Sequence, residues 1–384
     1  MIDFKIYRQA NKLPAVWDAL PSKDVFLKTD FLKGLEASIP KNISAYYVGV
    51  FKDGILVGIA VFQRVELYAN DIFRKSNSSK LKQIAKQLLS KIVKGNALVV
   101  GNLMHTGQHG LFHSNNQISQ TEFLSQIEQA LEVLKLEIYS TFNRKIRVIV
   151  FKDYFEEDVI HDNLNFFKAN NFYKIQVQPN MVFSISEAWN NTEDYISAFN
   201  KKYLRRYNTA RKKAIHLEYR PLNADYLKNN SESLYKLYET VSDHAGINTF
   251  KLQENHFYEL KIHLKDKFQV FGVFLEAELV GFYSLILNNN TLETYFLGYR
   301  KSLQHQYQMY LNMLFNMVSF GIENGFKDIV FARTAMEIKS SIGAKPITMH
   351  IYLNHTNSII ANTILKGIVT YLNPIQKWEE RQPF

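Results

Sequence analysis

One eleven-residue pattern occurs twice in this chain, and it constrains the fold more than any other feature. Val48–Gly58 reads VGVFKDGILVG and Phe271–Gly281 reads FGVFLEAELVG, six identities at an offset of 223. Each copy is an apolar run, a short acidic turn and a second apolar run. That pattern predicts a β-hairpin, and Asp53-Gly54 is a strong turn signal for the first copy. Each copy lies in a half of similar length, and each half goes on through helix, strand, helix and strand. At 384 residues the chain has enough material for two cores. The sequence therefore predicts two units, residues 1–185 and 192–384, joined near Ser186–Asn191.

The predicted elements are α/β (α+β), with antiparallel hairpins and few crossovers. In the first half Lys80–Lys91 reads as a basic helix, Ala97–Val100 as a strand, Thr121–Thr141 as a long helix and Lys145–Phe151 as a buried strand. In the second half Thr192–Ala214 reads as one helix and Tyr307–Asn324 as another. Asp328–Phe331 reads as a strand and Thr334–Ile342 as a short helix. Such an order is unlike a doubly wound dinucleotide fold, and neither GxGxxG nor GxxxxGK[ST] occurs. GxSxG is absent as well.

Composition removes further classes. The chain has no cysteine, so disulfides, thiol nucleophiles and thiolate metal sites are excluded. That usage, with an N-terminus lacking the pattern of a signal peptide, places the expectation in the cytoplasm. No run of 18 apolar residues exists. Ile359–Leu372 is the most apolar helical candidate. It is expected to be a packed C-terminal helix, with a membrane-surface role as the alternative. The net charge is +10, of which residues 1–180 hold +6 (23 Lys/Arg, 17 Asp/Glu). A basic surface favours anionic partners without choosing among phosphate cofactors, RNA and acidic lipids.

The densest charge feature is Lys201–Lys213. It holds Lys201, Lys202, Arg205, Arg206, Arg211, Lys212 and Lys213, and no acid. Tyr195, Phe199, Tyr203 and Tyr207 recur every four residues, an apolar stripe on a helix. The basic residues lie largely off that stripe, as on a phosphate-binding helix or on a solvated face. Arg333, Glu337 and Lys339 follow the strand Asp328–Phe331, where they could meet a carboxylate or phosphate, with Glu337 as proton acceptor. Tyr295, Tyr299 and Arg300 are further candidates for proton donation or ligand contact. His105, His109 and His113 are spaced by four, but Gly107 and Gly110 argue against one helical face, so no metal site is expected. Asp243 and His244 read as a helix end.

The element order resembles the GNAT acyltransferase fold. Two copies in one chain resemble the FemABX branch, the peptidoglycan-bridge aminoacyltransferases. Phe199–Ala214 is similar to the basic helix of that branch, Glu337–Ala344 to its segment after the fifth strand, and Phe166–Phe172 to the ending of a GNAT domain. The resemblance implies two tandem GNAT-like domains, each a mixed, mostly antiparallel sheet flanked by helices. It implies acyl or aminoacyl transfer to an amine by direct attack. The catalytic candidates are then Glu337 and Tyr295. The substrate-binding candidates are Lys201, Lys202, Arg205, Arg206, Arg211, Tyr299, Arg300, Arg333 and Lys339. No tightly bound cofactor is implied; acyl-CoA, an acyl carrier protein or aminoacyl-tRNA would be the donor. A small molecule or cell-envelope precursor would supply the amine, with tRNA or a membrane surface as further partners and no DNA. Tyr299–Tyr307 lacks the Gly-rich turn with which acetyl-CoA users hold the pyrophosphate on bare amides. The alternative is a non-catalytic module of the same fold that binds RNA, nucleotide or anionic lipid.

Overall fold

The computed structural model describes residues 1–67, 84, 95–243, 249–372 and 375–384. The expected basic helix Lys80–Lys91 lies outside them apart from Ile84, and so does His244. The chain divides into two compact units that interleave in sequence, whereas the sequence predicts contiguous halves. Unit 1 takes residues 1–178, 246–251 and 348–375; unit 2 takes 179–245, 252–347 and 376–384.

In chain order the first elements are β1 (Ile2–Tyr7), α1 (Thr29–Ala37), β2 (Ile43–Lys52), β3 (Ile55–Leu67), β4 (Gly95–Val100), β5 (Leu111–His113), α2 (Gln120–Phe142), β6 (Ile146–Phe155), α3 (Leu164–Ala169) and β7 (Tyr173–Ser184). Next come α4 (Thr192–Ser197), α5 (Lys201–Lys213), β8 (Leu217–Pro221), α6 (Ala224–Asn229), α7 (Ser231–Ser242), α8 (His256–Leu264), β9 (Phe268–Leu275), β10 (Glu278–Asn288) and β11 (Thr291–Tyr299). The last are α9 (Gln304–Tyr307), α10 (Met309–Glu323), β12 (Asp328–Val330), α11 (Met336–Ser340), β13 (Lys345–His355) and α12 (Ile359–Leu372).

The two units share one strand order. In unit 1, β1, β2, β3 and β4 are antiparallel neighbours, and β4 then pairs β6 in parallel. In unit 2, β8, β9, β10 and β11 are antiparallel neighbours, and β11 then pairs β12 in parallel. The repeated segments are the β2–β3 and β9–β10 hairpins. Both turns place two consecutive residues at positive φ, Asp53 and Gly54 in one, Glu276 and Ala277 in the other. That geometry matches the right-handed twist of the flanking strands.

Local chemistry sets the helices. Ser119 and Glu122 form a reciprocal capping box at the start of α2. Its buried residues Phe123, Ile127, Leu131, Leu134 and Ile138 form one face against the unit 1 sheet, each worth about 2 kcal/mol on burial. The expected single helix over Thr192–Ala214 is two helices instead. Asn200 is extended (ψ 159), its side chain accepts from the Tyr203 amide, and its own N–H donates to Pro383 O at 2.8 Å. It therefore starts a new helix rather than continuing the old one. Tyr195, Phe199 and Tyr203 are buried as the stripe predicts.

Candidate functional site

The units differ at the parallel strand pair. In unit 1, β4 stays paired to β6 up to its last residue, Val100 opposite Phe151. In unit 2, β11 pairs β12 over three residues only, Thr291–Glu293 against Asp328–Val330. Beyond that point β11 runs on to Tyr299 with no strand on this edge among the described residues. A notch opens there.

A β-bulge sits at the mouth of the notch. Tyr295 and Phe296 together oppose the single residue Ser284 of β10. Ser284 Oγ donates to Phe296 O at 2.7 Å, and Thr294 Oγ1 donates to Val330 O at 2.9 Å. A bulge re-aims backbone groups, N–H donors among them. Such donors, fixed in advance, can stabilise a developing oxyanion. Gly298 is required on this strand because α7 lies against it: a Cβ would sit 2.3 Å from the Leu237 carbonyl carbon.

The opposite wall follows β12. Phe331 N donates to Met181 O at 2.8 Å, and Met181 N donates to Ala332 O at 3.2 Å. Ala332 (φ 59) and Ala335 (φ 53) are both left-handed, a costly conformation for alanine. Lys339 ties this segment down. Its ammonium is buried and donates to Phe331 O and, at 3.3 Å, to Ala332 O. Burial pushes it down to about 7.

Glu337 points outward and accepts from Arg381 Nε at 3.1 Å; Arg381 also pairs with Glu379 at 2.7 Å. Arg206, whose guanidinium burial pushes down, lines a cleft of about 400 Å³ with Ala335, Glu337 and Trp378. Tyr295 turns away from this wall: its hydroxyl meets His256 Nε2 at 3.1 Å, and burial pushes it well up. Tyr299 is half-buried, its ring centroid 6.3 Å from that of Tyr310. Arg300 is held by Glu278, with Nη1 at 3.0 Å from Oε2. Arg333 is partly exposed on the segment after β12.

The basic helix divides by face. Arg211 turns inward, with Nη1 2.7 Å from Asn316 Oδ1 and its guanidinium over the Tyr207 and Phe315 rings at 5.2 and 5.5 Å. It docks α5 on α10. Lys201, Lys202, Arg205, Lys212 and Lys213 are exposed. Lys201, Arg205 and Lys212 share one stripe with Asn208 and Thr209 between them. In the turn after β11, Gln304 Oε1 accepts from the Tyr310 amide at 3.0 Å. A first-turn donor of α10 that could have met a phosphate is thus already engaged.

In unit 1 two of the three loop histidines meet, the His105 and His109 ring centroids lying 4.8 Å apart, while His113 packs elsewhere. His109 pairs with Asp24 at 2.7 Å, His105 stacks on Phe26 at 3.9 Å, and His113 stacks on Phe123 at 5.0 Å. No cluster of three or more metal-ligating groups is found among the described residues. Asp243 caps α7 at its C-terminus. Sequence reasoning missed the bulge, Ser284, Thr294 and Arg381, whose partners lie 12, 36 and 44 positions away, and it missed that Gln304 turns onto an amide six positions on. The two left-handed alanines carried no signal of their own.

No family model and no curated protein matches the sequence. Solved structures do match. FemX is 12% identical, with 91% of this chain and 96% of that chain covered and a TM-score of 0.54. A tandem GNAT protein from the clavulanic acid biosynthesis pathway is 9% identical, with 93% and 99% covered and a TM-score of 0.53. These likenesses extend over nearly the whole chain, and the chain has a GNAT/FemX-like fold.

Proposed function

We propose that this chain is an acyl- or aminoacyltransferase whose second unit holds the carbonyl donor. The observation that carries the reading is the opening of β11 from β12 beside the Tyr295–Phe296 bulge, in unit 2 and not in unit 1. An acyl carbonyl laid in the notch would meet backbone donors of β11. The amine nitrogen attacks the carbonyl carbon, the C–O or C–S bond to the carrier breaks, and the amine's proton leaves with the carrier. Positioning supplies much of the rate for such a step. Lys339 acts as a positioning residue for the Phe331–Ala335 wall, with Arg333 and Tyr299 beside the path of the substrate. Glu337 and Tyr295 already hold Arg381 and His256, so in this reading the transferred proton does not depend on them.

Between the donors, aminoacyl-tRNA is favoured over acyl-CoA. The Gly-rich turn is missing, Gln304 occupies an amide of α10, and Lys201, Arg205 and Lys212 form a stripe suited to a phosphate backbone. The acceptor would be an amine on a small molecule or a cell-envelope precursor. The second reading is binding of RNA without turnover, favoured by the engagement of both proposed proton carriers.

The test is to titrate the full chain with charged tRNA and with acyl-CoA. Thermal stability and transfer to amine acceptors are followed. A ligand at 100 times its Kd adds about 2.7 kcal/mol. Replacing Lys201, Arg205 and Lys212 together by Ala should weaken tRNA binding and lower the salt slope of log K by about 2 to 3. Acyl transfer from CoA alone refutes the donor assignment, binding without transfer supports the second reading, and an unchanged salt slope refutes the stripe.

A further inference from the structure

The expected C-terminal helix packs on unit 1 through one face only, and α12 carries Ile359, Ile360, Ile364 and Tyr371 on the outside. Among its described side chains the buried ones are Asn362 and Leu365. Leu365 packs with Ala97, Val148, Ile175 and Leu353, and Asn362 bonds Asn171 O at 2.6 Å and the His355 amide at 2.9 Å. At 100° per residue the opposite face consists of Ile359, Ile360, Thr363, Ile364, Gly367, Thr370 and Tyr371. Ile359 is 71% exposed, Ile360 74%, Ile364 45% and Tyr371 46%. A solvated helix face ordinarily carries charge. This one has Lys366 alone, at its flank, its ammonium 4.7 Å from the Tyr173 ring centroid.

We propose that this face lies on an anionic lipid surface, with the three isoleucines at the acyl boundary and Tyr371 and Lys366 at headgroup level. Charge supports a lipid occupant. No Asp or Glu occurs between Glu337 and Glu379, and the whole chain is +10. Of the acids near the start of α12, Glu132 is held by Lys135 at 2.7 Å, and Glu128 lies within a neighbouring cleft. Size argues against a second copy. The four apolar side chains expose roughly 500 Å², short of the roughly 800 Å² per partner that a standard protein interface buries. A patch of this extent on a soluble surface marks an interaction site. The inference rests on α12 alone and stands apart from the transfer reading.

The test uses the full chain and sedimentation with phosphatidylcholine vesicles, with and without phosphatidylglycerol. The wild type should bind the anionic vesicles more tightly than the neutral ones. Replacing Ile359, Ile360 and Ile364 by Asp should weaken that binding by about tenfold or more while leaving circular dichroism unchanged, since these side chains are on the surface. Tyr371→Trp should give added emission that shifts to the blue on anionic vesicles. No vesicle binding by the wild type, equal binding by the triple variant, or a wild-type dimer that the triple variant splits would each overturn the proposal.

Discussion

Replacing Lys339 by Met isolates one buried charge. The Lys339 ammonium titrates at about 7 in the folded chain against 10.5 when solvated, because burial disfavours the charged form. Between these two values the unfolded chain binds more protons than the folded one, so stability rises with pH across that window. The full difference between the two protonation states is about 5 kcal/mol. From pH 7 to pH 9 the gain is about 2 kcal/mol, and below pH 6 this one contribution is nearly constant because Lys339 is protonated in both states. In Lys339→Met the gain is absent, whatever the variant loses by leaving Phe331 O and Ala332 O without their donor. Urea unfolding followed by tryptophan fluorescence at several pH values measures it. The wild-type midpoint should rise by about 1 M more than the variant's between pH 7 and 9, at an m-value of roughly 2 kcal/mol/M. Groups that titrate in both proteins cancel in the difference. Parallel profiles would mean that Lys339 is solvated or paired, and the account of the β12 wall would fail with it.

Two other outcomes follow from the geometry. Gly298→Ala drives a methyl into the Leu237 carbonyl, so unit 2 should lose about 3 kcal/mol in chemical denaturation, and an unchanged midpoint would show that α7 does not lie against β11. Glu337→Gln breaks a surface pair with Arg381, so stability should change by less than about 1 kcal/mol with transfer intact, whereas a fall in turnover of about 100-fold would make Glu337 the proton acceptor.

Periodicity and turn chemistry are properties of neighbouring residues, and they made much of this fold legible. The repeated hairpins, the long helix and the aromatic stripe Tyr195–Tyr203 could all be read directly. The break at Asn200 could not, because the polar group that receives its amide is 183 positions away in Pro383. For the basic helix, the run of charge is evident in the sequence but its division is not. Arg211 and Arg205 look alike until Asn316 and Phe315 claim one of them.

What the sequence alone determined, then, is a doubled unit of hairpin, helix and strand with a cationic surface, since hydrophobic period, turn residues and charge are local quantities. Tertiary structure decided where the doubled unit stops being symmetrical. Only strand register shows that β11 leaves β12 after three residues while β4 keeps β6 to its end, and register is set by side chains far apart in the chain. The same holds for α12: its apolar composition is plain, but which face finds Leu353 and Ile175, and which is left for something else to cover, is fixed by the packing of unit 1.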